Sequence, residues 1–167
     1  MQTCITRVPR SNHKKVQNQI ETDEGIATTT AEGLSALRPV VPSGTVTFGS
    51  QTHPADGNAG LVVARNEVAQ ELSKNPDIRI RVMGYGQARC ELAYMPEATI
   101  PAVKAALNNS DLTMTQIDAV KSHNPFAVND IIFSRETGYD LKTMNNYGCS
   151  LVYGHPQGVT SLRSIIE

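Results

Sequence analysis

The 167-residue chain contains no tryptophan, and aromatic residues make up only 5% of it. Single-stranded nucleic acid is gripped on exposed aromatic platforms, so that class of function is not expected. A basic surplus is missing too: 15 Lys and Arg stand against 16 Asp and Glu, a net charge of −1. No field therefore draws the chain to phosphate backbones, and nucleic acid is excluded as a partner. No apolar run approaches the roughly 18–20 residues of a spanning helix, so no membrane partner is expected. The opening MQTCITRVPRSNHKK is polar and basic and lacks the apolar core of a secretory signal. Cysteines are few: Cys4, Cys90 and Cys149 are scattered, with no CxxC pair and no metal-ligand spacing. They suggest a reducing, cytoplasmic setting and no bound metal.

What is present is an ordinary globular composition, 40% hydrophobic and 19% charged. The length fits about one domain. Residues 1–43 carry Pro, Ser and Thr clusters without sustained periodicity and read as loop. One short helix is predicted over 31–37, capped by Thr30 and stopped by Pro39, without a capping box because Gly33 stands at the third position. From residue 45 the pattern sharpens. GTVTF is β-prone, 49–60 is a turn-rich loop, 60–64 (GLVVA) reads as a buried strand and 66–73 as a helix. Alternating apolar and basic residues predict a half-exposed strand over 78–84. Ile100, Val103 and Leu107 lie at helical spacing within 100–108. Further on, 117–121 reads as a short buried strand, 125–134 as a helix, 149–153 as a strand and 159–166 as a helix. Strands separated by helices suggest a layered α/β fold. Its last helix has no return strand, so an open sheet edge and association are expected.

Two strand-to-helix junctions carry the chemistry. Gly154-His155-Pro156-Gln157-Gly158 places a histidine in a glycine turn just ahead of a helix, where a neutral ring fits as a general base. A packed or capping histidine fits the same position. At His123-Asn124-Pro125-Phe126-Ala127, Asn124 is placed to cap a helix that Pro125 opens. An exposed amide there could instead hold a water or an oxyanion at the sheet's carboxyl edge. Cys149 lies six residues before His155; along a strand at about 3.3 Å per residue the two start far apart, and a buried structural thiol is expected.

Taken together, the pieces resemble the thiolase family. The resemblance runs from about residue 21 to 167: the stretch through GTVTFGSQTHPADGNAGLVVA, then RIRVMGYGQA, MPEATIPAVKAAL and QIDAVKSHNPFA, and finally NNYGCSLVYGHPQGVTSLRSIIE with its G-H-P-x-G signature. It implies an α/β fold in which a mixed sheet is covered by helices, here incomplete. Residues 1–43 would be loop-domain remnant and linker, 44–74 the end of the N-terminal half, and 75–167 a C-terminal domain lacking its last strands. The implied activity is acyl transfer between coenzyme A and the α-carbon of acetyl-CoA through an acyl-cysteine. The thioesters are substrates and no other cofactor is implied.

By the same resemblance, His155 activates the nucleophilic cysteine and then helps to hold the thioester oxygen. Asn124 matches the Asn of the family's N-E-A-F and orders a catalytic water. Thr52 lies near the pantetheine arm, Met95 lines the acyl pocket, and Asp56-Gly57 is a structural turn. Departures include Pro125 for Glu, Phe48, Ser50 and Asn58 in the upstream loop patterns, Ala27 for Arg, and Ser161 for a small glycine. Cys149 aligns with a glycine, so neither catalytic cysteine of the family has a counterpart here. The isolated chain is therefore expected to be inactive. The implied partners are an acyl-CoA and the missing thiolase segments or a partner thiolase chain, in a homo- or hetero-oligomer. The alternative is a non-catalytic thiolase-like subunit that binds coenzyme A or stabilises a catalytic partner.

Overall fold

The computed structural model describes residues 5–7, 18–20, 22–23, 25–75 and 77–167. Cys4 lies outside them. A two-stranded antiparallel hairpin, β1 (Ile5–Arg7) with β2 (Asn18–Ile20), sets Ile5 opposite Ile20. The helices follow in order. α1 (Ala31–Ser35) begins as predicted at Thr30, whose side chain accepts from the Gly33 N–H at 3.0 Å. α2 spans Asn66–Leu72. α3 (Thr99–Asn109) is entered through a 3₁₀ turn, Met95–Ala98, with Pro96 in its first turn. A proline costs nothing where no intrahelical donor is needed. α4 (Ala127–Thr137) stops at Gly138, whose φ of 75° is the left-handed conformation that ends helices. α5 (Ser150–Tyr153) and α6 (Thr160–Ile166) complete the set.

The apolar core sits where α3 and α4 cross beside the 3₁₀ turn. Ile100, Phe133 and Met144 are its buried members, flanked by Val103, Met114, Val120, Ile132 and Tyr139. Full burial of one such side chain stabilises by about 1.5–3 kcal/mol. Five polar residues are buried against these three apolar ones: Asn124, Asn129, Asp130, Ser150 and Thr160. Most buried polar groups are hydrogen-bonded. Four of the five form side-chain hydrogen bonds around the two junctions singled out in the sequence, whereas Asn129 Oδ1 has no partner among the described residues.

Several strand expectations fail. Among the described residues, β1–β2 is the only sheet, so the helix-covered mixed sheet is not found. Residues 60–64, 78–84 and 117–121 carry no ladder, and a strand exists only through the ladder that satisfies its backbone. Burial fails with it: Val62 is 82% exposed and Ile80 88%. Residues 149–153 do not form a strand. Cys149 is the extended N-cap of the single helical turn α5, set up by Gly148 at φ 95°. Asn124 is not a cap, because α4 starts two residues late with Phe126 as its N-cap and no side-chain cap bond.

Candidate active site

Three stretches of chain converge: 50–54, 122–127 and 150–155. The first is tied to the second by backbone bonds, Thr52 N–H to Pro125 O at 2.7 Å and Ala127 N–H to Ser50 O at 2.9 Å. It is tied to the third by His155 N–H donating to His53 O at 2.8 Å. The Thr52 hydroxyl adds a bond to the Ser150 carbonyl at 2.5 Å. Gly154 makes the close approach possible. Its φ of 79° and ψ of −175° are open essentially to glycine alone. A Cβ there would also lie 2.8 Å from both Ala55 Cβ and His53 O.

This convergence stacks two imidazoles. The His123 and His155 rings lie 4.1 Å apart between centroids and 27° from parallel. Each is anchored through Nδ1: His123 to Ser150 Oγ and His155 to Thr160 Oγ1, both at 2.8 Å. Ser150 is fully buried and Thr160 nearly so, whereas both rings are half-buried. Nε2 of either ring has no protein hydrogen bond among the described residues. Neither is closed off from solvent, unlike Nε2 of His53. Burial pushes the His123 pKa below its ordinary 6.5, helped by the neighbouring His155 and by Arg163. The Arg163 guanidinium sits 5.0 Å over the Tyr153 ring, with Nε 3.3 Å from Glu167 Oε1 but its N–H off line.

Beneath His123 lies a buried polar knot. Asp130 accepts from Ser122 Oγ at 2.5 Å and from Asn124 Nδ2 at 2.6 Å, and Asn145 Nδ2 adds a bond at 3.0 Å. Asn145 Oδ1 in turn accepts the Ser122 N–H at 2.9 Å. The backbone from 122 to 124 is thereby pinned to α4. Asn124 Oδ1 is buried and has no hydrogen-bond partner.

The sequence candidates thus separate. His155 and Thr52 are in the site, Thr52 with its hydroxyl engaged by Ser150. Asn124 is adjacent, but its amide group donates to Asp130; the ring lying on His155 belongs to His123. Met95 starts the 3₁₀ turn before α3 and is 53% exposed, with no bond to the other three. Cys149 enters no hydrogen bond of either ring, and Cys90 Sγ bonds the Tyr94 carbonyl at 3.0 Å. Sequence reasoning did not single out His123, Ser150 or Asp130, which the structure brings to the same junction. A signal for His123 was available: setting N-E-A-F on Phe126 rather than on Asn124 puts His123 at the Asn position.

Two solvent-reachable imidazoles backed by buried hydroxyls and amides make a site for moving protons and holding a developing negative charge. Among the described residues no cluster of His, Cys, Asp or Glu is suited to a metal, and no helix is long and apolar enough to cross a membrane. The family described as "Thiolase, C-terminal domain" matches residues 77–167. The chain belongs to the thiolase family. It is 34% identical over 152 residues to the 3-ketoacyl-CoA thiolase of Vibrio parahaemolyticus, an overlap of 87% of this chain and 38% of that protein. To the acetyl-CoA acetyltransferase of Escherichia coli K12 it is 31% identical over 141 residues, 84% of this chain and 35% of that one. The human mitochondrial 3-ketoacyl-CoA thiolase structure superposes with a TM-score of 0.78 at 28% identity, covering 87% of this chain and 37% of that chain. The Bacillus anthracis acetyl-CoA acetyltransferase gives 0.77 at 26%, covering 98% and 41%. The chain therefore shares the thiolase fold and spans well under half the length of these relatives.

Proposed function

We propose that this chain carries the base and oxyanion half of a thiolase-type acyl transfer between coenzyme A and the α-carbon of acetyl-CoA. The observation that carries the reading is the His123–His155 stack with both Nε2 atoms unengaged. His155 serves as the general base for a cysteine thiol. His123 takes the role first assigned to Asn124 and donates to the thioester oxygen. Asn124 supports it from below through Asp130. Thr52 holds the loop beside the pantetheine arm, and Met95 faces the acyl chain. The thiolate comes from thiolase sequence outside these 167 residues, on the same polypeptide or on a partner in an oligomer.

The test is coenzyme A-dependent cleavage of acetoacetyl-CoA by the protein purified from its source, with all that accompanies it. His155→Asn is expected to lower the rate about 10²–10⁴-fold, the usual contribution of a positioned base. Cleavage indifferent to His155 would overturn the reading. One observation favours a second reading, a thiolase-like subunit that binds coenzyme A without turning it over: among the described residues, neither Cys90 nor Cys149 hydrogen-bonds to a site histidine. Binding of coenzyme A without cleavage, in the protein as purified, would select it.

A further inference from the structure

The two stacked rings look equivalent but their hydroxyl anchors are not. The Thr160 hydroxyl has two neighbours, His155 Nδ1 at 2.8 Å and the Pro156 carbonyl at 3.3 Å. Its proton goes to the carbonyl, and its oxygen accepts the His155 Nδ1–H. That leaves a lone pair on His155 Nε2, the form a general base needs. Ser150 differs. Its hydroxyl has a single partner among the described residues, His123 Nδ1 at 2.8 Å, and the residue is fully buried. Were Nδ1 to donate, the Ser150 proton would be buried without an acceptor, an arrangement that folded proteins avoid. Ser150 must therefore donate, and the His123 proton then sits on Nε2.

We infer that Ser150 is a positioning residue that holds His123 as an Nε2–H donor, so that the two rings stand in opposite tautomers, one a base and the other an oxyanion donor. The geometry fits this division. Ser150 opens α5, and its carbonyl is held by Thr52 and by the Gly154 N–H at 3.0 Å, so the hydroxyl cannot drift from the ring. The ring itself is clamped between that hydroxyl and His155. A donor fixed before the substrate arrives needs no reorganisation when charge develops on the thioester oxygen. The Ser150 hydroxyl meets only His123 among the described residues, so its removal would reach the chemistry through that ring.

The inference rests on reading His123 as the group that faces the thioester, and the experiment separates the two. In the full chain with ¹⁵N-labelled imidazoles at neutral pH, the nitrogen shifts of His123 are expected to show a bare, hydrogen-bonded Nδ1 and a protonated Nε2. His155 is expected to show the reverse. An Nδ1–H form of His123 overturns the inference, whatever its ligand behaviour. Ser150→Ala is expected to remove the Nδ1 hydrogen-bond shift, bring in the second tautomer and weaken the contact with His155. A single unchanged tautomer in that variant also overturns it. Should the variant not fold, the measurement on the native chain decides alone. Adding acetoacetyl-CoA is the separate arm. A shift at His123 Nε2 supports its role toward the thioester, while none, with the tautomers as expected, removes that role and leaves Ser150 as the group that orients the ring.

Discussion

Replacing Asp130 by alanine tests whether the polar knot, rather than the small apolar core, holds the site together. The carboxylate is 9% exposed and takes three side-chain bonds, from Ser122, Asn124 and Asn145. Asn145 Nδ2 also lies 2.9 Å from Ser122 Oγ, so that amide keeps a partner when Asp130 is lost. Ser122 is half-buried and can turn to water. Asn124, at 1% exposure, cannot. An orphaned buried donor costs about 1–3 kcal/mol, so Asn124 at the upper end and a fraction for Ser122 give about 3 kcal/mol. With a urea slope of about 2 kcal/mol per molar for a chain of this size, the unfolding midpoint should fall by about 1.5 M. Asp130→Asn should cost only about 1 kcal/mol. Its oxygen can keep the Asn124 and Asn145 amides as donors, while its new amide donates to Ser122 Oγ, which can accept. Urea unfolding followed by circular dichroism reads both variants. An alanine variant within about 0.5 kcal/mol of the native chain would refute the reasoning, as would an asparagine variant equally damaged.

Three further outcomes are expected. Gly154→Ala should destabilise by about 3 kcal/mol, because backbone conformation and the approach to His53 O both oppose a side chain, and thermal unfolding measures it. Thr52→Val should cost about 1 kcal/mol in urea unfolding, since it removes the bond to Ser150 O but leaves the backbone bond to Pro125. His123, with its pKa held low in the fold, contributes stability that is present above pH 6.5 and lost on acidification through and below it. The unfolded chain binds the proton more tightly there, so stability rises with pH. Urea midpoints from about pH 5 to 8 should show that slope, and His123→Gln should flatten it.

How much of this was legible in the sequence depends on the range of the interactions. α3 was found because Ile100, Val103 and Leu107 repeat at 3.6-residue spacing, and α1 because Thr30 caps within its own turn. His155 was legible because glycine and proline mark a tight turn wherever they occur. Residues 149–153 failed because a short apolar run does not distinguish a strand from one turn of helix. Nothing local announces that Ser150 will be buried against a histidine. The supposed strands at 60–64 and 78–84 failed because a ladder is a property of two segments and only one can be read from a run of valines. Asn124 was legible only as a junction residue; that its amide is spent on Asp130, six positions on, is a matter of packing that no local pattern announces.

The bond from Thr52 to Ser150 spans 98 positions of chain, and most of what lies between contributes nothing to the stacked rings. Closing a loop costs entropy that grows only with the logarithm of its length, about 0.6 kcal/mol for each doubling. The intervening stretch could therefore grow to twice its size for less than the free energy of one good hydrogen bond. The histidine pair behaves in this respect as a clasp, indifferent to the length of strap it closes, and an insertion in the exposed stretch 60–64 is expected to leave it intact.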